Sequence, residues 1–522
     1  MKPGIAKNAV KERHFLHRAA RLLPTTSNSE GAVFAMKYVV LIAASLLLPA
    51  GAQSSWILPG AGGKLAATQD YPNALGSLRL QVQGGPVDMA SNPFFAPLGA
   101  NGRACVTCHQ PINAMSVSAL SARQRWQQYG DSDALFAAYD GSNCPDLPQD
   151  KAESHSLLLS KGLIRIARSW PPRDLQGHVI TPDFRIEVVR DPTGCNTSKI
   201  YGLNSPNPQI SVFRRPRMVA NFKYVVATGF NDDPKDGLPL PTDPLSGKLA
   251  SRNLMADARV LTLKEQMRDA AVTHLQRTKP LTAEQESQIE DLEMRLFTAQ
   301  QSGPGGDEQS GGASGGTDAL ANGLAGRLGD QTKPVWSEFA AWAKAADNPA
   351  LTPVQRAFRL SVARGAKIFR DRTFLITDSA GINYPIGFGN PVRNSCVFCH
   401  NMSQMGMDVA PGQVDLGTTT LPFADPQPDL PLFKITCLGQ PHPFYGKVIY
   451  THDPGYALTT GRCVDVGKIT LQSLRGLAAR APYFSNGMAK DLRAVVDYYN
   501  RRYNIGYTEQ EKQDLVNLLS VL

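Results

Sequence analysis

The chain has 522 residues, with 54 Lys and Arg against 45 Asp and Glu, and 8 cysteines. Seven of the basic and two of the acidic residues lie in the first 52 positions, so the net charge of +9 falls to nearer +4 beyond them. That is too mild and too dispersed for a nucleic-acid-binding protein, and it favours at most an acidic redox partner.

Residues 1–35 are basic and carry no apolar periodicity. From Met36 the pattern changes: Lys37 precedes the apolar run Tyr38 to Leu48, followed by Pro49 and the small residues Ala50-Gly51-Ala52. This is the pattern of a secretory signal, either with Met36 as the start or with residues 1–35 as a long charged leader; a retained membrane anchor is the alternative. Residues 1–52 therefore read as leader and signal peptide, and the exported chain is expected in the periplasm with no membrane span. The length beyond them allows two or three domains, and 45 Gly with 38 Pro predict many loops. We divide it into an N-terminal domain with an inserted loop region (53–280), a connector (281–350) and a C-terminal domain (351–522).

Cys105-Val106-Thr107-Cys108-His109 is the first segment that carries chemistry. Cys-x-x-Cys-His is the spacing that attaches a c-type haem. The two thiols add across the porphyrin vinyl groups, and in a helical turn the imidazole falls on the same face as proximal iron ligand. The motif recurs as Cys396-Val397-Phe398-Cys399-His400, so two covalently bound haems are expected, with His109 and His400 as axial ligands. A four-cysteine zinc site would have to close across a very long gap and leave both histidines unexplained. A thioredoxin-like dithiol is expected once, beside a βαβ pattern. The remaining cysteines, Cys144, Cys195, Cys437 and Cys463, form an even set in an exported chain. The pairs nearest in sequence are Cys144–Cys195 and Cys437–Cys463, each worth about 3–4 kcal/mol by loop closure; buried free thiols are the alternative.

Between the motifs, Phe184 to Val189 alternates as a short strand, and Cys144-Pro145, Asp191-Pro192-Thr193-Gly194 and Ser205-Pro206-Asn207-Pro208 read as turns. A helix is predicted over about 261–277, placing Gln266, Asp269/Ala270 and His274/Leu275 on one side. Another is predicted over 281–300, opened by the Thr282/Gln285 capping box and carrying Ile289, Leu292, Leu296 and Phe297. The Gly/Ser-rich stretch 302–317 reads as a flexible surface insert. Thr352-Pro353 opens a further helix, and the chain ends in two more, 491–502 and one capped by Thr508 and Glu511. The fold expectation is mainly α: two cytochrome-c-like haem domains with long loops and a few short strands.

The two motifs, the Arg364-Gly365 and Ile368-Phe369 lead-in, and the tail Leu474-Arg475-Gly476-Leu477 with Ala481-Pro482-Tyr483-Phe484-Ser485-Asn486-Gly487 resemble the di-haem bacterial cytochrome c peroxidases and the related enzyme MauG. The resemblance covers most of residues 90–522, with 110–210 and the Gly-rich insert fitting poorly. It implies one haem that takes electrons from a small redox protein or cytochrome and another that offers hydrogen peroxide an open iron site. A calcium ion between the domains is also implied.

Departures from the family pattern locate the doubtful chemistry. Residues 255–259 resemble a Trp-Asp-Gly-Arg element in which Ala256 stands at the Trp position, with Asp257 and Arg259 retained. Gln266 matches a distal-pocket glutamine, but Gln276 stands where the family has a catalytic Glu. An amide can hydrogen-bond peroxide yet cannot serve as a general base. Tyr499 falls at the distal position of the second haem, where the family has Met or Tyr; the alternatives are a packed aromatic, or Met402, Met405, Met407 or Met488 as sulfur ligand. For the first haem His274 is raised as a sixth ligand, against an ordinary hydrogen-bonded histidine, with His155 and His178 as further candidates. Two functions stay open on this reading: a peroxidase-type oxidoreductase using Gln266 and Gln276, or an electron-transfer cytochrome with both irons six-coordinate. A di-haem oxygenase resembling the rubber oxygenases is a third.

Overall fold

The computed structural model describes residues 55–174, 176–226, 251, 253–325, 337–384, 388–400 and 413–522. The signal-like segment 36–52 and Met402, Met405 and Met407 lie outside them.

Helix starts fall where the side-chain chemistry puts them. Thr262, Thr282, Thr352 and Thr508 each accept a hydrogen bond from the amide three residues on, and Glu265, Gln285, Gln355 and Glu511 return the bond. These reciprocal caps satisfy amides that a helix start leaves open. They begin the helices Leu263–Thr273, Ala283–Arg295, Pro353–Asp371 and Glu509–Ser520. Asp491 caps Leu492–Arg502 in the same manner. The Pro353–Asp371 and Glu509–Ser520 helices meet at Gly365, where a Cβ would lie 2.1 Å from the Asp514 carbonyl oxygen.

The mainly α expectation is overturned. Helix accounts for only 31% and strand for 19%, and the strands form six small sheets among the described residues. The physical reason is a set of short two-residue alternations. Gly76–Val82 turns Leu78, Leu80 and Val82 inward at 0–2% exposure, and Leu432–Cys437 does the same with Phe433, Ile435 and Cys437. Only Phe184–Arg190, now the strand beside Leu432–Cys437, was legible as such.

The helix predicted over 281–300 stops at Arg295, and Leu296–Gly303 runs as a strand between Gly76–Val82 and Gly306–Asp307. Leu296 and Phe297 are both fully buried, and two adjacent apolar residues suit a helix stripe or a doubly covered strand equally; pairing with Gly76–Val82 decides it. The Gly-rich stretch that follows makes hydrogen bonds to the 340–371 region. Arg359 donates to the carbonyl oxygens of Gly305 (2.9 Å) and Asp307 (3.0 Å), and Trp342 Nε1 to that of Ser310 (2.9 Å).

Three large apolar clusters result. One surrounds the first motif with Leu78, Leu80, Met267, Ala271, Ile289 and Leu292. A second surrounds the other motif with Val362, Phe369, Val496, Leu515 and Leu518. The third, absent from the sequence reading, lies between sheets: Ile164–Ser169 pairs with Gln209–Arg214, while Ile186, Ile435 and Ile449 line up across three strands. The two disulfides flank it, Cys144–Cys195 and Cys437–Cys463, with Cα separations of 5.1 and 5.6 Å. These are the pairings nearest in sequence. Strand pairing between residues 184–190 and 432–437 ties early to late chain, and residues 55–522 form one compact unit.

Candidate functional site

Both Cys-x-x-Cys-His motifs adopt one local geometry. Cys105–Thr107 and Cys396–Phe398 are single 3-10 turns, followed by Cys108 at φ −109°, ψ −15° and Cys399 at φ −105°, ψ −18°. The His109 amide then donates to the Cys105 carbonyl (3.2 Å), and the His400 amide to that of Cys396 (3.0 Å). Each turn therefore gathers two thiols and an imidazole on one side. All four thiols are free of disulfides.

Each motif lines its own cavity, of about 1410 Å³ at His109 and about 1420 Å³ at His400, mouths included. Because the cysteine pairs line separate cavities, a shared four-cysteine zinc site is ruled out. Among the described residues no group of three or more His, Cys, Asp or Glu could hold a metal ion, so the calcium site implied by the resemblance finds no cluster there.

At the first cavity, burial holds the His109 imidazole well below its usual range, at about 4, and so neutral. Its Nδ1 lies 3.1 Å from the Met115 carbonyl oxygen, which makes that nitrogen the donor, and the Arg217 backbone is a second hydrogen-bond partner of the ring. Burial likewise pushes the Cys105 thiol up to about 12 and Cys108 to about 11. Leu263–Thr273 presents Gln266 and Ala270 on successive turns, and His274 follows at the helix end; all three line the cavity. His274 Nδ1 lies 2.6 Å from Asp140 Oδ2, and Asp140 also pairs with the buried Arg103. Gln276, two residues on at φ +51°, is not among the lining residues.

Three buried oxygens on this cavity's wall have no hydrogen-bond partner: Asn253 Oδ1, Gln266 Oε1 and Glu293 Oε2. Among the described residues the His400 cavity has no such atom on its wall. It is instead apolar and aromatic, with Phe369, Tyr483, Phe484, Tyr499, Tyr503 and Tyr507. Tyr483 donates to the Leu477 carbonyl (2.7 Å), Tyr503 pairs with Ser379 (2.9 Å) and Tyr507 lies 3.9 Å from the Cys396 sulfur. The Tyr499 ring stacks on Tyr503, and burial raises its phenol well above the usual range. Met488 is not on this wall.

Arg215, Gln472, Ser473 and Arg480 line both cavities and so form the wall between them. Arg215 donates to the carbonyl oxygens of Val117 (2.8 Å) and Arg480 (2.7 Å), and Arg217 to that of Thr470 (3.1 Å). Burial lowers Arg215 to about 9 and Arg217 and Arg480 to about 10, with further lowering of the first two by the Arg480 charge. No carboxylate among the described residues pairs with any of the three. By contrast Asp257, in the 255–259 segment, binds Arg214 and Arg259 at 2.8 Å each. Ala256, at the Trp position of the resemblance, lines the first cavity, and its carbonyl accepts from the amide of Thr470, on the second cavity's wall, at 2.9 Å.

Of the residues singled out in sequence, the structure brings Cys105, Cys108, His109, Gln266 and His274 together, and Cys396, Cys399, His400 and Tyr499 together. His155 is fully buried with both ring nitrogens at carbonyl oxygens (2.8 and 2.9 Å), and His178 is exposed beside Asp174; neither lines a cavity. Sequence reasoning missed Asp140, Asn253, Glu293 and the arginine wall. Glu293 carried a signal, a carboxyl group in the buried stripe with Ile289 and Leu292, and so did the run Arg214-Arg215-Pro216-Arg217. Asp140 carried none, lying 134 residues from His274.

Two cavities, each lined by a thiol pair and an imidazole, define a class of site: one whose side chains are of the kind that hold a metal-bearing ring. Consistent with that class, the chain is similar to cytochrome-c peroxidase IdrP1 of Pseudomonas sp. (strain SCT), 33% identical over 147 residues, which cover 25% of this chain. The match spans 37% of that relative's length. No family model and no solved structure matches the chain. No helix of the described residues is long and apolar enough to cross a membrane.

Proposed function

We propose that the chain is an exported, periplasmic di-haem c-type cytochrome that reduces hydrogen peroxide with electrons from a small redox protein. Cys105 and Cys108 would hold one haem with His109 ligating its iron, and Cys396 and Cys399 would hold the other with His400. The donor sets fit the group: unoxidised thiol pairs, a neutral imidazole whose Nδ1 is tied to a carbonyl, and a cavity around each. The cations of Arg215, Arg217 and Arg480 suit the carboxylates that a haem carries, since a buried cation without an anion costs several kcal/mol. When bound, haem iron supplies reversible one-electron chemistry and a coordination site.

The observation that carries this reading is the asymmetry of the walls. Two unpartnered amide oxygens, of Asn253 and Gln266, lie on the wall of the His109 cavity together with the buried carboxyl group of Glu293, and unmet buried acceptors favour a ligand with O–H donors, as peroxide has. Gln266 and Asn253 accept from peroxide and orient it. The aromatic His400 cavity would serve electron entry, with the Tyr499 hydroxyl as the oxygen that would reach the iron.

A second reading, an electron carrier with both irons six-coordinate, rests on His274: the Asp140 bond orients the ring and leaves Nε2 for a metal. The resting spectrum of the purified holoprotein separates the two, together with peroxide-dependent oxidation of a reduced cytochrome c. A high-spin ferric signal and turnover are expected. Two low-spin haems and no turnover establish the carrier instead.

A further inference from the structure

Among the described residues, Glu293 is the one acidic side chain on the wall of the His109 cavity. It lies one turn beyond Ile289 on the Ala283–Arg295 helix, which packs beside the Leu263–Thr273 helix carrying Gln266. The residue is 3% exposed, and Oε2 has no hydrogen-bond partner. Two other unmet oxygens on the same wall, of Gln266 and Asn253, are acceptors. A carboxylate would add a third unmet acceptor and a buried charge with no ion-pair partner among the described residues, whereas a carboxylic acid is neutral and carries a proton it can give up. The titratable groups acting on it are few: Glu290 on its own helix and the Cys105 thiol from the motif turn. Of the arginines on the same wall, Arg103 is paired with Asp140 and Arg259 with Asp257 and Asp269, while Arg215, Arg217 and Arg480 are not among the charges that shift Glu293.

We infer that Glu293 is the proton donor of this cavity, delivering a proton to the departing oxygen of bound peroxide in place of the amide at Gln276. The inference rests on the peroxide-reducing reading above. In the balanced reaction, H2O2 + 2 H⁺ + 2 e⁻ → 2 H2O, the O–O bond breaks and both electrons come from the reduced redox partner. Glu293 gives one proton to the leaving oxygen, which departs as water, and the carboxylate regains its proton from solvent, which also supplies the second. Burial, reinforced by Glu290, pushes the carboxyl up to about 8, so the acid form prevails at neutral pH.

The test uses holoprotein carrying Glu293→Gln, with Glu293→Asp as the variant that keeps an acid. Haem content and visible spectrum establish that each folds. The infrared spectrum at pH 7 is expected to contain the carbonyl band of a protonated carboxyl group, fading as the pH passes about 8 and missing in Glu293→Gln. Peroxide turnover in Glu293→Gln is expected to fall about 100-fold and to lose the decline that the parent shows above pH 8, while Glu293→Asp recovers part of it. Parent-like turnover and pH profile in Glu293→Gln, or no such band at pH 7, overturns the assignment and leaves the peroxidase reading standing. A parent holoprotein that turns over no peroxide overturns both.

Discussion

Asp140 is the residue that sets the His109 cavity's geometry. Burial alone would raise its carboxyl group, but the Arg103 guanidinium and the His274 hydrogen bond outweigh burial and hold it below the usual carboxylate range. Asp140→Asn leaves Arg103 buried with no anion, so the variant is expected to lose about 3–5 kcal/mol of stability by denaturant unfolding. The sign with pH follows. A depressed carboxyl stabilises fully above its unfolded value near 4 and loses that contribution as pH falls through the lower folded value, so parent and variant converge in acid. Glu293 works oppositely, with its folded value raised from 4.5 to about 8. Between those values the unfolded chain sheds a proton that the folded one keeps, so stability falls as pH rises and levels off above 8. Denaturant midpoints across that range are expected to decline in the parent and to flatten in Glu293→Gln. Cys105 and His109 were legible because their spacing is local; Asp140 was not, because its partner His274 is distant in sequence.

At the scale of elements, capping chemistry placed three helix starts, at Thr282, Thr352 and Thr508, because the cap is a bond between residues three apart. Helix ends and strands were less legible, since they depend on what the chain meets. Leu296–Gly303 is a strand because Gly76–Val82 pairs with it, some 215 residues away in the chain. The close approach at Gly365 is of the same kind, and it allows a test. Gly365→Ala would favour the helix locally by about 1 kcal/mol, yet its Cβ meets the Asp514 carbonyl at 2.1 Å. Net destabilisation of about 1–3 kcal/mol is expected, measured as a lowered denaturant midpoint; a stabilised variant refutes the tight contact between these helices.

For the whole molecule, the inter-strand pairing of residues 184–190 with 432–437 and the Arg214–Asp453 pair, at 2.6 Å, cross the division drawn from sequence. Fragments 53–280 and 351–522 are therefore each expected to fail to fold alone, because each would expose half of the sheet core around Ile186, Ile435 and Ile449. Circular dichroism and limited proteolysis of the separate fragments check this; two protease-resistant fragments with cooperative unfolding contradict it.

By itself the sequence determined the two thiol-and-imidazole motifs, the disulfide pairs and the helix caps, because each is a short-range pattern with its own chemistry. Only the tertiary structure decided that strands share the fold, that Gln266 and His274 reach the His109 cavity while Gln276 does not, and that Glu293 and three arginines line the cavities. Those outcomes depend on burial and on which distant segments come within bonding distance, and neither is written in the spacing of residues along the chain.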